Sequence, residues 1–274
     1  MIYRPIVARM RCLHALAVLL TCAAANGAAP KDLVKAELLT DVETVQPGQP
    51  FHLGVLLRIK PDWHVYWKYP GESGSPTRVE FKLPDGWQAD ELQFPIPKRF
   101  DQAGVIGYGY TDEVMLIAIV TPPSNIEPSA EITANVKWLS CNEDVCIPGK
   151  AELTSKSVNA DLIKQWLDRM PDRKREILIS TSLACGTTPR LIATVKFKDP
   201  VKDVEWFPKP PPSLGVKDAK IEKDPNPGEK LFSFDLVPQQ KGGEPMEFVV
   251  AYTDSQGKRR AAQFTLDLPA PPKP

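Results

Sequence analysis

The sequence is poor in metal-binding side chains and has no excess of charge of either sign. Among its 274 residues are only 3 His and 5 Cys, too few for a protein with several zinc sites. Its 34 basic side chains are balanced by 34 acidic ones. A protein that binds nucleic acid usually carries a basic excess, so this balance argues against nucleic acid as a partner.

Motifs of the common hydrolases and transferases are also absent. The sequence contains no GxSxG, no glycine-rich phosphate-binding loop and no HExxH. No pair of carboxylates stands out from the acidic side chains expected at a protein surface. Hydrolase and transferase activities therefore have no support, and we predict no cofactor.

Proline, in contrast, is abundant. The chain has 29 prolines, about twice the ordinary usage for its length. Because proline breaks helices and central strands, a bundle of long helices is improbable. Hydrophobic residues make up 42% of the chain, which is enough for a packed core.

The N-terminus has the pattern of a secretory signal peptide, which we place at residues 1–25. Three arginines within residues 1–11 precede an apolar run, 12–25, that ends in small residues. This run is too short to span a bilayer stably, and no later stretch of 18 apolar residues exists. We therefore predict a periplasmic protein without a transmembrane span in its mature chain. A lipid tether at Cys22 is the alternative, because the residues before it are close to a lipobox.

Short apolar runs separated by Pro- and Gly-rich turns predict an all-β fold. Their alternation over residues 33–158 is typical of an antiparallel sandwich rather than of βαβ units. Apolar residues at helical spacing predict a connector helix within 159–172. The strand pattern resumes over 174–268, which predicts a second, smaller β-sandwich, and a Pro-rich tail follows at 269–274.

Cys141 and Cys146 form the one constellation that indicates chemistry. Four residues separate them, and apolar strand residues precede them, so we expect a hairpin that places the two thiols opposite each other. Directly opposed residues have Cα atoms about 4.5–5.5 Å apart, a distance that a disulfide can bridge. Cys185 would be a third cysteine of the mature chain, and we predict it to be a buried free thiol.

Spacing alone leaves three interpretations of this pair: a redox-active disulfide, a structural disulfide and a metal site. A disulfide that closes so short a loop stabilises by roughly 2 kcal/mol, against about 4.7 kcal/mol for a 100-residue loop. A redox role fits better, because two nearby thiols can close on each other and release a partner from a mixed disulfide. Glu143 and Asp144 in the loop should raise the thiol pKa, which suits a carrier that reacts only with a docked partner. A metal site would need His52 or His64 as a further ligand.

An aromatic run over residues 63–69 is the second candidate feature. Its side chains could shield a reactive disulfide or form a docking surface, or they could be core residues of a half-buried strand. The same alternatives hold for the two tyrosines of a Gly-Tyr-Gly-Tyr segment further along the chain. The candidate shielding or docking residues are Trp63, Tyr66, Trp67, Tyr69, Tyr108 and Tyr110.

Three segments in this order, WHVYWKYPGESGSPTRVEFKLPDGWQADELQFPIPKRF (63–100), GYGYTDEVML (107–116) and VKWLSCNEDVCIPGKAEL (136–153), carry a family resemblance. Over about residues 35–158 the chain resembles the periplasmic N-terminal region of the DsbD/ScsB-type transmembrane thiol reductants. The resemblance implies an immunoglobulin-like sandwich with a redox-active cysteine pair, which by position is Cys141 and Cys146. In that family the membrane domain reduces the pair, and the pair then reduces oxidised exported proteins.

The resemblance also implies a shielding loop and a set of partners. The family covers its disulfide with an aromatic-bearing cap loop, for which residues Tyr66–Ser75 are the candidate here. Family members often continue into a membrane domain and a thioredoxin-like domain, neither of which we expect in this chain. We therefore expect a separate membrane thiol reductase as electron donor and oxidised exported proteins as acceptors. The alternative is a non-catalytic exported interaction or metal-handling module with a static disulfide.

Overall fold

A computed structural model describes residues 33–125, 131–155, 157–172, 177–184, 190–212, 214–221, 228–238 and 245–267. The predicted signal peptide, the proposed lipid site at Cys22, the third cysteine Cys185 and the Pro-rich tail lie outside the described residues. Within the described part, the chain folds into eighteen strands and one short helix. None of the described helical structure is long and apolar enough to cross a membrane.

The first half of the chain forms two sheets. Its strands are β1 (Val34–Thr40), β2 (Phe51–Ile59), β3 (His64–Gly71), β4 (Arg78–Lys82), β5 (Gln88–Ala89), β6 (Lys98–Gln102), β7 (Val105–Tyr110), β8 (Glu113–Thr121), β9 (Thr133–Cys141), β10 (Cys146–Thr154) and β11 (Ser157–Val158). Sheet A has the order β11-β1-β2-β8-β5. Sheet B has the order β10-β9-β3-β7-β6, with β4 also paired to β9. Among the described strand pairs, β1 and β11 run parallel and the others antiparallel.

Helix α1 (Ala160–Leu167) lies where the sequence predicts a connector helix. The Asn159 side chain caps its first turn by accepting a hydrogen bond from the Leu162 amide at 3.0 Å. Ile163 and Trp166 are buried on one face of the helix. The Ile163 side chain lies against Gly54 of β2, so the helix covers the central strands of sheet A. This cover explains why β2 and β8 are buried on both faces instead of alternating.

The second half forms two smaller sheets. Its strands are β12 (Ile177–Ala184), β13 (Arg190–Phe197), β14 (Lys202–Lys209), β15 (Leu214–Ile221), β16 (Glu229–Pro238), β17 (Met246–Thr253) and β18 (Arg259–Leu266). Sheet C has the order β14-β17-β18 and sheet D the order β12-β13-β16-β15. Aromatic rings fill the space between these sheets, with Trp206 contacting Phe232, Phe234, Phe248 and Phe264. The predicted all-β fold, with a connector helix between a larger and a smaller sandwich, is therefore confirmed.

The two halves share part of their hydrophobic core. Phe207 of β14 is fully buried, and its ring lies 6.3 Å from that of Trp67 and 5.5 Å from that of Tyr108. Close by, Glu247 of β17 forms an ion pair with Lys68 of β3 at 2.9 Å. The second half is thus fastened to the strand that contains most of the predicted aromatic run. The separate folding of 33–158 and 174–268 as domains stays a prediction.

We expect Phe207→Ala to lower the free energy of unfolding of the whole chain by about 3–5 kcal/mol, because it empties a buried site between the two halves. Phe81→Ala is the matched control, since Phe81 is only partly buried at the margin of the same core. Urea unfolding followed by circular dichroism measures both. Equal losses in the two variants would contradict the importance of this contact.

Candidate functional site

The cysteine pair lies at the closed end of a hairpin. Cys141 is the last residue of β9 and Cys146 the first of β10, and the two are direct partners in the strand pairing. Their Cα atoms are 4.1 Å apart and their sulfurs form a disulfide with an S–S distance of 1.99 Å. The hairpin and the opposition of the two thiols predicted from the sequence are both present.

The turn between the cysteines is ordered by the first residue of the loop. The Asn142 side-chain oxygen accepts hydrogen bonds from the amides of Asp144, at 3.0 Å, and Val145, at 2.8 Å. The Asn142 amide in turn donates to the Val145 carbonyl at 3.1 Å. Such an Asx turn shapes the backbone locally. The turn therefore holds the two cysteine positions together by contacts other than the sulfur–sulfur bond.

The two cysteine residues differ sharply in their exposure. Cys141 is 0% exposed, whereas Cys146 is an exposed residue at the edge of sheet B. The hydroxyl of Tyr66 donates a hydrogen bond to the Cys141 sulfur at 3.4 Å. Thiol–disulfide exchange requires a sulfur to approach one of the bonded sulfurs. Cys146 is consequently the open side of the pair.

Tyr66 is held firmly in this position. It is 4% exposed, and its carbonyl accepts a hydrogen bond from the Thr77 hydroxyl at 2.7 Å. Burial raises the pKa of the Tyr66 hydroxyl above its usual value, so the group stays protonated at neutral pH and can donate to sulfur.

A loop of residues 71–76, which we call the cover loop, closes over the Tyr66 ring. Gly74 has φ +95°, and a Cβ at this position would lie 2.4 Å from a ring carbon of Tyr66. Glu72 fastens the loop, because its amide donates to the Ile106 carbonyl at 2.8 Å and its carboxylate accepts from the Ile106 amide at 3.1 Å. Only glycine suits the close approach at Gly74. The cover loop thus adds a second layer behind the buried sulfur.

His64 lies beside Cys141. It is the strand partner of Cys141 in the pairing of β3 with β9 and is buried. Its ring lies 5.1 Å from that of Tyr66 and 4.7 Å from that of Phe100, centre to centre. Its Nε2 atom is buried without a hydrogen-bond partner. Burial lowers the pKa of His64, so the ring is neutral at neutral pH.

The structure brings only one of the six candidate aromatic residues, Tyr66, into contact with the disulfide. Trp67, Tyr108 and Tyr110 belong to the first core instead, and Trp63 and Tyr69 are half-buried against that core. Side chains alternate along a strand, so His64 and Tyr66 lie on one face of β3 while Val65 and Trp67 lie on the other. Gly74 lies within the predicted cap-loop range Tyr66–Ser75, whereas Phe100 was not among the predicted site residues.

The histidines considered as metal ligands are separated. His64 lies next to Cys141, but His52 belongs to sheet A, where its Nδ1 atom is 2.6 Å from the Asp41 carboxylate. Across the part of the chain that the structure describes, no group of three or more His, Cys, Asp or Glu side chains could hold a metal ion.

Comparison with known proteins gives a family match for the first half of the chain. Residues 31–157 match the family model described as "Thiol:disulfide interchange protein DsbD, N-terminal". No match was found among the curated proteins. The family resemblance inferred from the sequence is therefore confirmed for the half that carries the cysteine pair.

One solved structure extends the likeness in fold to both halves. The N-terminal periplasmic domain of ScsB from Proteus mirabilis is 18% identical with a TM-score of 0.64, and the match covers 86% of this chain and 93% of that one. The N-terminal domain of DsbD from Neisseria meningitidis, solved in the reduced form, is 16% identical with a TM-score of 0.31 over 46% of this chain and 86% of that one. The likeness to ScsB confirms the expected immunoglobulin-like fold.

We expect Gly74→Ala to lower stability and to speed reduction of the disulfide by dithiothreitol, because the added methyl group must displace the cover loop or the Tyr66 ring. Gly104→Ala is the matched control. Gly104 also has positive φ, +88°, but a Cβ there meets nothing within 4 Å. Its substitution should cost only the backbone strain, about 1 kcal/mol, with an unchanged reduction rate. Indistinguishable stabilities and rates in the two variants would contradict the covering role.

We expect the free energy of unfolding to fall as the pH drops from about 7.5 to below about 6.5. Histidine in an unfolded chain has a pKa of about 6.5. In this range His64 binds a proton in the unfolded state but not in the folded state, where burial lowers its pKa. The loss of stability ends below the pKa of His64 in the folded state. Urea unfolding at several pH values measures it. His64→Phe should remove this pH-dependent loss of stability, whereas His52→Gln, at a half-exposed histidine, should retain it. A pH profile unchanged by His64→Phe would refute the assignment of the loss to His64.

Proposed function

We propose that this chain is an exported thiol–disulfide carrier that acts through Cys141 and Cys146, because residues 31–157 match the DsbD N-terminal family model. The electron donor is a membrane thiol reductase, and the acceptors are oxidised periplasmic proteins. The carrier resides in the periplasm, a location supported by the signal-like N-terminus and by the likeness to the N-terminal periplasmic domain of ScsB.

The observation that carries the proposal is the unequal exposure of the two cysteine residues, Cys141 buried and Cys146 exposed. A disulfide that only staples a hairpin has no need of one open and one shielded sulfur. A carrier benefits from this arrangement, because an incoming thiolate then has a single point of attack and a defined leaving group. The exposed Cys146 offers that point of attack, and the buried Cys141 is the leaving sulfur.

Loading of the carrier proceeds in two exchanges. A donor thiolate attacks the Cys146 sulfur, the bond between Cys146 and Cys141 breaks, and Cys141 leaves as a thiolate. The second donor thiolate then attacks the donor sulfur of the mixed disulfide and releases the Cys146 thiolate. The donor dithiol has become a disulfide, and the carrier pair has gained two electrons and, from solvent, two protons.

Delivery runs through the same two sulfurs in the opposite direction. The Cys146 thiolate attacks a disulfide of the acceptor, and one acceptor sulfur leaves as a thiolate. Cys141 then attacks Cys146 in the mixed disulfide, which releases the second acceptor sulfur and restores the bond between the pair. The acceptor disulfide is reduced to two thiols, and the carrier returns to its oxidised form.

Tyr66 supports these steps at the buried sulfur. Its hydroxyl already donates to Cys141 in the disulfide form, and the same donor can stabilise negative charge on Cys141 when that sulfur leaves. Such a donor lowers the cost of forming a thiolate in a site closed to water. Tyr66 is therefore proposed as a positioning and charge-stabilising residue, with the cover loop holding its ring.

Variants that keep only one cysteine of the pair test the carrier function. Cys141→Ser and Cys146→Ser should each abolish reduction of insulin or of a natural acceptor, since transfer needs both sulfurs, while thermal unfolding shows the fold largely retained. Cys141→Ser leaves the exposed Cys146 and should accumulate mixed disulfides with partners in the periplasm. Cys146→Ser, which leaves the buried Cys141, should trap few or none. Retained transfer in both variants, or equal trapping by both, would reject the proposed route.

A further inference from the structure

Three basic side chains line up across the outer face of sheet B, the face turned away from the core. Arg78 of β4 is the strand partner of Lys137 of β9, and Lys137 is the strand partner of Lys150 of β10. Paired residues project to the same face of a sheet, and all three are exposed. They form one continuous row over three strands, which we call the basic row.

The basic row lacks an acidic partner among the residues that the structure describes, where none of its three members forms an ion pair or a side-chain hydrogen bond. The acids in the next row of the same face are Glu80 and Glu152, and Glu152 is held by Lys82 at 2.9 Å. Like charges directly opposite each other on neighbouring strands destabilise a sheet. The row therefore opposes the stability of the fold, which favours an explanation in binding.

The basic row shares its face with the disulfide. Lys137 precedes Cys141 by four residues and Lys150 follows Cys146 by four, and an even separation keeps side chains on one face. At about 3.3 Å per residue, the row lies about 13 Å from the sulfurs along the strands. The paired residues Leu139, half-buried, and Pro148, exposed, occupy the space between them.

The other side of the disulfide carries the opposite charge. Glu143 and Asp144 are exposed at the tip of the hairpin, beside the open sulfur of Cys146, and exposed Val145 separates them from it. Along one line the surface thus runs from acidic tip to open sulfur, then to an apolar strip and then to the basic row. Such a charge gradient can orient an incoming protein before any bond forms.

We propose that this face is the docking surface for the protein redox partner, and that the partner carries carboxylates about 13 Å from its reactive sulfur. The carboxylates lie over Arg78, Lys137 and Lys150, an apolar segment lies over Leu139 and Pro148, and the partner's sulfur reaches Cys146. The acidic tip disfavours a partner whose acids surround the sulfur itself. The inference rests on the proposed carrier function, since it assumes that exchange occurs at Cys146.

Three synthetic peptides test the charge preference. Each has a single cysteine and, beginning four residues after it, three consecutive Glu, Gln or Lys residues, so that an extended peptide spans the distance to the basic row. The protein is the full chain with Cys146 as its only cysteine, loaded as a mixed disulfide with thionitrobenzoate. Release of this coloured thiol gives the second-order rate constant of peptide attack on Cys146.

At low ionic strength, the Glu peptide should react about tenfold faster than the Lys peptide, with the Gln peptide between them. The difference should collapse in about 0.5 M NaCl, where charges several ångströms apart are screened. The double variant Lys137→Glu/Lys150→Glu should reverse the order. The control Lys35→Glu/Lys60→Glu makes the same change in net charge at two other exposed lysines. It should retain the faster reaction of the Glu peptide.

A Glu peptide no faster than the Gln and Lys peptides would overturn the docking surface. So would a control variant that loses the preference as fully as the double variant. The three peptides can be compared on the protein that retains Lys137 and Lys150, so the test remains valid even if the double variant does not fold. With a single cysteine the chain cannot complete a transfer cycle, so this result is independent of the carrier test. Normal transfer without a charge preference would reject this inference alone.

Discussion

The antiparallel register between β9 and β10 is the constraint on which the rest of the site depends. It makes Cys141 and Cys146 direct partners and, by the same alternation, puts the basic residues of the two strands on their face. A slip of one residue would turn the two sulfurs to opposite faces. Two features fix the register. One is the turn ordered by Asn142. The other is the indole of Trp138, which occupies the space that a Cβ atom at Gly149 would need.

Strand β3 connects this hairpin with the second half of the protein. One of its faces brings Tyr66 and His64 to the buried sulfur, and its other face brings Trp67 into contact with Phe207 of β14. Lys68, the next residue, is paired with Glu247 of β17. The second half therefore supports the site indirectly, because it packs against the strand that covers one side of the disulfide. The sequence shows no catalytic motif in this half.

The sequence was sufficient to predict the all-β fold, the hairpin and the pairing of Cys141 with Cys146, because these follow from local alternation, turn residues and spacing. It was not sufficient to choose among the aromatic residues. Tyr66 and Trp67 are adjacent aromatic residues, and which of them faces the core depends on the pairing of β3 with β7 and β9 and on its packing, which includes Phe207 of β14. The basic row could not be predicted from the sequence either. Strand pairing brings Arg78 next to Lys137, 59 positions away, and Lys137 next to Lys150, 13 positions away.

The central claim is that the bond between Cys141 and Cys146 forms and breaks as part of function. Its most direct test is the reduction potential of the pair, measured in the full chain by equilibration with glutathione or dithiothreitol buffers. A carrier should equilibrate with other oxidoreductases, at roughly −120 to −270 mV. A potential below about −300 mV, in the range of structural disulfides, would contradict the claim.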